Sequence, residues 1–125
     1  MKRIEVAVAC ILRADRCFLQ RRHPASRKFP GHWEFPGGKI ETDETPGDAL
    51  YRELQEELLW RPDSIQELAP LDHQYPDREV RLHPFRCDGP GLLCSPLSWG
   101  WFLPREARRL RLPAASRILL DSLGS

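Results

Sequence analysis

The stretch from Gly37 to Glu57, GGKIETDETPGDALYRELQEE, constrains this chain more than any other part of it. Thr45 is a natural helix N-cap, Pro46 suits the first helical position, and Asp48 stands where a capping-box acid answers the threonine. The pattern predicts a helix over 46–58. At about 100° per residue, Leu50, Leu54, Leu58 and Tyr51 fall on one apolar stripe. Glu53, Glu56 and Glu57 share a neighbouring face, so their carboxylates are expected to converge. Like charges at these spacings repel by a few tenths of a kcal/mol per pair, a cost that a cation between them reverses. Donors that are all oxygen favour a hard ion, and Mg²⁺ binds through a few carboxylates together with substrate phosphates.

Around this run the chain reads as short strands. Residues 3–13 alternate like a strand, Asp15-Arg16 makes a turn, and Cys17–Arg21 returns as the second arm of a hairpin. A polar loop over 24–31 leads to a short strand, Trp33–Phe35, and then to Pro36-Gly37-Gly38, where glycine lets the backbone approach a ligand. Strands are expected over 65–74 and 79–87, joined by a turn at Tyr75–Arg78, and another over Leu97–Leu103. A closing helix from Pro113 to Leu123 is expected to turn Ile118, Leu119 and Leu123 inward. Periodicity alone supports no more than an α+β chain.

At 125 residues the chain has room for one domain and one core, spanning 1–125. A net charge of +1 sets up no global field toward nucleic acid or membrane, so phosphate binding has to come from local groups. The arginines at 105, 108, 109, 111 and 117 read as a solvated helix face rather than an RNA-binding patch. Cys10, Cys17, Cys87 and Cys94 lack CxxC spacing and the four histidines are scattered, which argues against zinc and for buried free thiols. Val8-Ala9-Cys10 behind Lys2 and Arg3 has the outline of an export signal, but Glu5 interrupts an apolar stretch that is already short. No run is apolar enough to span a bilayer. The expectation is a cytoplasmic monomer.

Gly38, then Glu44 after five intervening residues, then Arg52-Glu53-Leu54-Gln55-Glu56-Glu57 after seven more, resembles the Nudix box G-x5-E-x7-R-E-U-x-E-E-x-G-U. The chain departs from it at Leu59, which stands where the family has its helix-ending glycine, and Pro62 is expected to stop the helix instead. Trp33 to Glu41 (WEFPGGKIE), Arg21-Arg22, Tyr75-Pro76-Asp77-Arg78 and Pro113–Ser116 are similar to the MutT branch of that family, so the likeness runs over nearly the whole chain.

The resemblance implies an α/β fold, the Nudix α/β/α sandwich with a mixed central sheet and helices on both faces. It implies Mg²⁺, with Mn²⁺ as a substitute, held by the Gly37 carbonyl and by Glu53, Glu56 and Glu57. Arg52 would orient a glutamate and Glu44 would stand behind the ligands. The partner it implies is a small nucleoside triphosphate, neither a nucleic-acid polymer nor a membrane. The reaction is hydrolysis of a triphosphate such as 8-oxo-dGTP to the monophosphate and pyrophosphate. CTP or another pyrimidine triphosphate is the alternative substrate, and a non-catalytic Nudix-like binding module the third reading. Family members draw their general base from the box or from a glutamate before the late Trp-rich strand; here that loop carries no carboxylate, which leaves Glu53 as the expected base. Arg22, Glu34, Phe35, Gly37, Gly38, Lys39, Arg78 and Ser116 are the expected substrate-binding residues. Ser116 occupies the place of an asparagine that reads the purine edge in the MutT branch, and a hydroxyl cannot make the same two-pronged contact.

Overall fold

The computed structural model describes residues 3–123. Its elements run in the order β1 (Arg3–Arg13), β2 (Arg16–Arg21), β3 (Trp33–Glu34), β4 (Gly37–Lys39), α1 (Pro46–Leu58), β5 (Ser64–Glu67), β6 (Leu71–Tyr75), β7 (Arg78–Asp88), β8 (Trp99–Phe102), α2 (Pro104–Ala107) and α3 (Ala114–Ser122). The sheet is mixed. β1 runs parallel to β7 along most of its length and antiparallel to β4 and β2.

β1 divides the core, because successive side chains of a strand point to opposite faces. Ala7, Ala9 and Ile11 meet Leu50, Leu54 and Leu58 of α1 on one face, while Val8 and Cys10 meet Leu119 and Leu120 of α3 on the other. Helices therefore cover both faces of an α/β sandwich, as the resemblance implies. Each fully buried leucine of α1 contributes roughly 1.5–3 kcal/mol, and Leu54→Ala would cost about 2–5 kcal/mol with the cavity included.

α1 begins where its cap residues say it should. The Asp48 amide donates to Thr45 Oγ1 at 3.1 Å and the Thr45 amide to Asp48 Oδ2 at 3.5 Å. The helix ends with Leu59 in the left-handed region, at φ 51°, rather than at Pro62, and the Leu59 amide donates to the Gln55 carbonyl. Tyr51 lies half-buried at the edge of the apolar stripe, under the Arg61 guanidinium.

Several expectations are corrected. The strand read over 65–74 is two, β5 and β6, lying end to end along β7. Leu68, Ala69 and Pro70 oppose only His83 and Pro84, so the extra residue breaks the ladder as a bulge does. Ile118 points outward at 45% exposure, and Ala115, Leu119 and Leu120 face the sheet instead. Leu123 is half-buried against that same core. Cys94 is exposed whereas Cys10, Cys17 and Cys87 are buried, and burial pushes the Cys17 thiol up to about 11. Arg117 does not belong to a solvated face, since it donates to the carbonyls of Arg108 and Leu110 and ties α3 to the chain after α2. The short α2 had no sequence signal long enough to reveal it.

Candidate functional site

The glycine turn read from the sequence is instead a short strand, β4, which sits directly against α1. Gly37 and Gly38 pair with Val8 and Ala7 of β1, and a Cβ on Gly37, at φ 152°, would run into the Ala7 backbone. A Cβ on Gly38 would run into the Glu53 carboxylate, so the missing side chain is what lets Glu53 lie against β4.

Arg52 organises the first part of the acidic face. Its Nε and Nη2 donate to Glu44 at 2.7 and 2.8 Å, a two-pronged pair, while Nη1 donates to Glu53 at 2.8 Å and reaches Glu56 at 3.5 Å. The Lys39 carbonyl accepts from Nη2 as well. Glu44 also accepts from the Glu41 amide, and the Arg52 guanidinium with this bond holds its carboxyl down to about 2. Glu56 is largely exposed.

Glu57 has the opposite surroundings. Burial pushes its carboxyl up to about 7; the Gln20 amide, donating at 2.9 Å, and the Gly37 amide oppose this, while the charges of Glu34 and Glu53 add to it. Glu34 in turn is raised by burial and countered by Arg22, whose Nη1 lies 3.1 Å from it.

The expected convergence of Glu53, Glu56 and Glu57 is not how the side chains lie. Among the described residues no three acidic, histidine or cysteine side chains stand close enough to hold one ion. Arg52 draws Glu53 and Glu56 to one side and Gln20 draws Glu57 to the other.

In front of β4 opens a cleft of about 630 Å³. Arg22, Glu34, Phe35, Gly37, Gly38, Lys39, Arg78 and Ser116 all line it, so the structure gathers every expected substrate-binding residue in one place. Val6, Val8, Val80 and Leu82 give the lining an apolar part, and Arg22, Lys28, Lys39 and Arg78 outnumber Glu34 and Asp77 in it, which suits a flat apolar ring carrying an anionic tail. Lys28 bridges to Asp77 at 2.9 Å across its mouth, and Tyr75 accepts from the Ala115 amide at the start of α3. Sequence reasoning missed Lys28 as a lining residue and missed Gln20. Gln20 was visible only as a polar residue at an inward position of an otherwise apolar strand.

The NUDIX domain family matches residues 1–123. The chain belongs to the Nudix family. The chain is similar to an Escherichia coli CTP pyrophosphohydrolase, at 36% identity over 98% of this chain and 92% of the relative. It is 38% identical to an E. coli 8-oxo-dGTP diphosphatase over 66% of this chain, a match that spans only 64% of that relative's length. A Pseudomonas putida RNA pyrophosphohydrolase is 44% identical over 71% of this chain and 57% of its own. The fold superimposes on a MutT Nudix hydrolase from Burkholderia pseudomallei with a TM-score of 0.86 at 24% identity, covering 97% and 98% of the two chains. Nudix hydrolases generally use divalent metals such as Mg²⁺. No helix among the described residues is long and apolar enough to cross a membrane.

Proposed function

We propose that this Nudix hydrolase is a Mg²⁺-dependent nucleoside triphosphate pyrophosphohydrolase that converts 8-oxo-dGTP to 8-oxo-dGMP and pyrophosphate, a nucleotide-pool sanitising reaction in the cytoplasm. The observation that carries the reading is Glu57: a half-buried carboxylate whose strongest charged influences, Glu34 and Glu53, are both negative, next to Gly37, which lines the cleft together with Arg22, Lys39 and Arg78. Such a group raises its pKa or recruits a cation. The donors are all oxygen, as a hard divalent ion prefers, and the Gly37 carbonyl with Glu53, Glu56 and Glu57 would hold it once Glu53 and Glu56 swing from Arg52, since the three carboxylates do not converge in this structure. When bound, Mg²⁺ supplies charge neutralisation on phosphoryl oxygens and acidifies a coordinated water.

The chain's own groups do the rest. Arg52, anchored on Glu44, turns Glu53 toward Gly38 and fixes the expected base in place for proton removal. Arg22, Lys39 and Arg78 offer charge-assisted hydrogen bonds to the triphosphate. Phe35 and the apolar floor take the base, and Ser116, on the first turn of α3, offers one hydroxyl to its edge. The chain acts as a monomer on this small substrate.

The CTP reading stays as an alternative on two observations: a CTP pyrophosphohydrolase aligns over nearly all of this chain, and Ser116 is too short to read a purine edge with both a donor and an acceptor. The intact Arg52, Glu53, Glu56 and Glu57 speak against a pure binding module. Steady-state rates on 8-oxo-dGTP, dGTP and CTP with Mg²⁺ test the proposal. A preference for 8-oxo-dGTP of at least about 100-fold over dGTP is expected where a buried hydrogen bond discriminates. Equal rates on the two purines remove the sanitising role, a preference for CTP moves the assignment to the pyrimidine, and no pyrophosphate from any of the three favours the module.

A further inference from the structure

Among the described residues Gln20 is the one buried polar side chain, at 2% exposure, on the face of β2 that looks toward α1. Its two polar ends are both occupied. Nε2 donates to Glu57 Oε2 at 2.9 Å, and Oε1 accepts from Ser95 Oγ at 2.8 Å. Ser95 Oγ in turn accepts from the Leu97 amide at 3.1 Å. An amide can be turned either way in a neutral pocket, but here both neighbours choose the same orientation. The carboxylate takes the NH₂ end, and the serine hydroxyl, whose single proton has somewhere to go only at an acceptor, takes the oxygen.

The segment bearing Ser95 is itself fixed. Arg13 donates to the carbonyls of Gly89 and Gly91, Trp60 Nε1 donates to the Pro90 carbonyl, and the Cys94 amide donates to the Leu58 carbonyl at 2.9 Å. That last bond joins the segment to the residue next to Glu57, on the same turn of α1. Ser95 and Glu57 therefore approach Gln20 from two elements that are tied together one residue away.

We propose that Ser95 and Gln20 form a positioning relay that fixes the Glu57 carboxylate, so that the segment at 94–98, which carries no carboxylate, serves the site by orienting one. Glu57 Oε2 accepts from the Gln20 amide, and the Gly37 amide also donates to this carboxylate. The proposal rests on the reading of Glu57 as a metal-binding group. Neither Gln20 nor Ser95 touches the substrate; both are positioning residues. Partners that orient a ligating carboxylate typically change metal affinity or activity by 10–100-fold when removed.

The test compares wild type with Ser95→Ala, Ser95→Thr and Gln20→Leu. The readouts are kcat and KM for 8-oxo-dGTP with Mg²⁺, Mn²⁺ affinity by electron paramagnetic resonance without nucleotide, and the urea unfolding midpoint. Ser95→Ala is expected to lower kcat and weaken Mn²⁺ binding about 10-fold each and to leave nucleotide KM within about twofold; Gln20→Leu should do the same by about 100-fold. Ser95→Thr keeps the hydroxyl and should recover both values. Ser95→Ala equal to wild type in kcat and Mn²⁺ affinity overturns the relay, and so does a Ser95→Thr variant that folds as well as wild type yet loses as much as the alanine. Wild type that binds Mn²⁺ but releases no pyrophosphate overturns the functional reading alone, and the Mn²⁺ titrations of the variants then still decide the relay. Wild type that binds no Mn²⁺ overturns both.

Discussion

Glu44 and Glu57 belong to one acidic run, yet Arg52 holds the first down to about 2 while burial lifts the second to about 7. At the Glu44 end one guanidinium meets Glu44, Glu53 and a backbone carbonyl and reaches Glu56, so each of these carboxylates has a cationic partner although the cluster as a whole stays negative. At the Glu57 end the carboxylate is half-buried, held by two neutral amides, and faced by the charges of Glu34 and Glu53. The difference separates a part that builds the site from a part that needs something brought to it. A carboxylate paired with a guanidinium is held in place, whereas a partly buried one met by neutral amides and like charges is where the proposed cation would act.

The comparison breaks most plainly at Glu57. Glu57→Gln should lower kcat by about 10³ or more while leaving the fold intact, because the amide keeps the shape and removes the charge that a cation needs. Circular dichroism with a pyrophosphate-release assay checks it; retained turnover would place the metal elsewhere. Gly38→Ala acts next, by pushing Glu53 off β4, and a displacement near 1 Å should cost about 100-fold in kcat. Wild-type rates in that variant would show that Glu53 does not need its place against Gly38.

The third outcome is a pH dependence of opposite sign at the two ends. Glu57 has a folded pKa above its ordinary 4.5, so the folded state holds a proton that the unfolded state has released. Its stability contribution is whole below 4.5 and is lost as pH rises through about 7, by about 3 kcal/mol in all. Glu44 is depressed, so its contribution is present above the ordinary range and is lost as pH falls toward about 2. Urea unfolding with a chelator should therefore show wild type weakening relative to Glu57→Gln between pH 4.5 and 7. Parallel curves would mean that Glu57 is not under the strain described.

The smallest effect lies at the end of the same helix, where strain replaces charge. Leu59 is 66% exposed and left-handed, so Leu59→Gly should stabilise the chain by about 1 kcal/mol with kcat unchanged. A loss of stability in the urea midpoint would show that the Leu59 side chain packs more than its exposure says.

Much of this was readable in the chain because it is local. A Thr45 cap, a proline at 46 and leucines four apart on one stripe are decided within a turn or two of helix, and the helix lies where they put it. The phase of α3 was not readable, because Ile118, Leu119 and Leu120 are equally apolar and only the packing against β6 and α2 picks which of them turns in. The break between β5 and β6 escaped for a like reason, since a bulge depends on what β7 offers opposite Pro70.

By itself the sequence determined the family, the glycine pair beside the helix, the helix that carries the glutamates and eight of the residues that line the cleft, Lys28 not among them. The tertiary structure alone decided the surroundings of each carboxylate. Desolvation and charge pairing depend on groups brought from far along the chain, as Gln20 is brought to Glu57 and Ser95 to Gln20, and no spacing rule within one helix contains them.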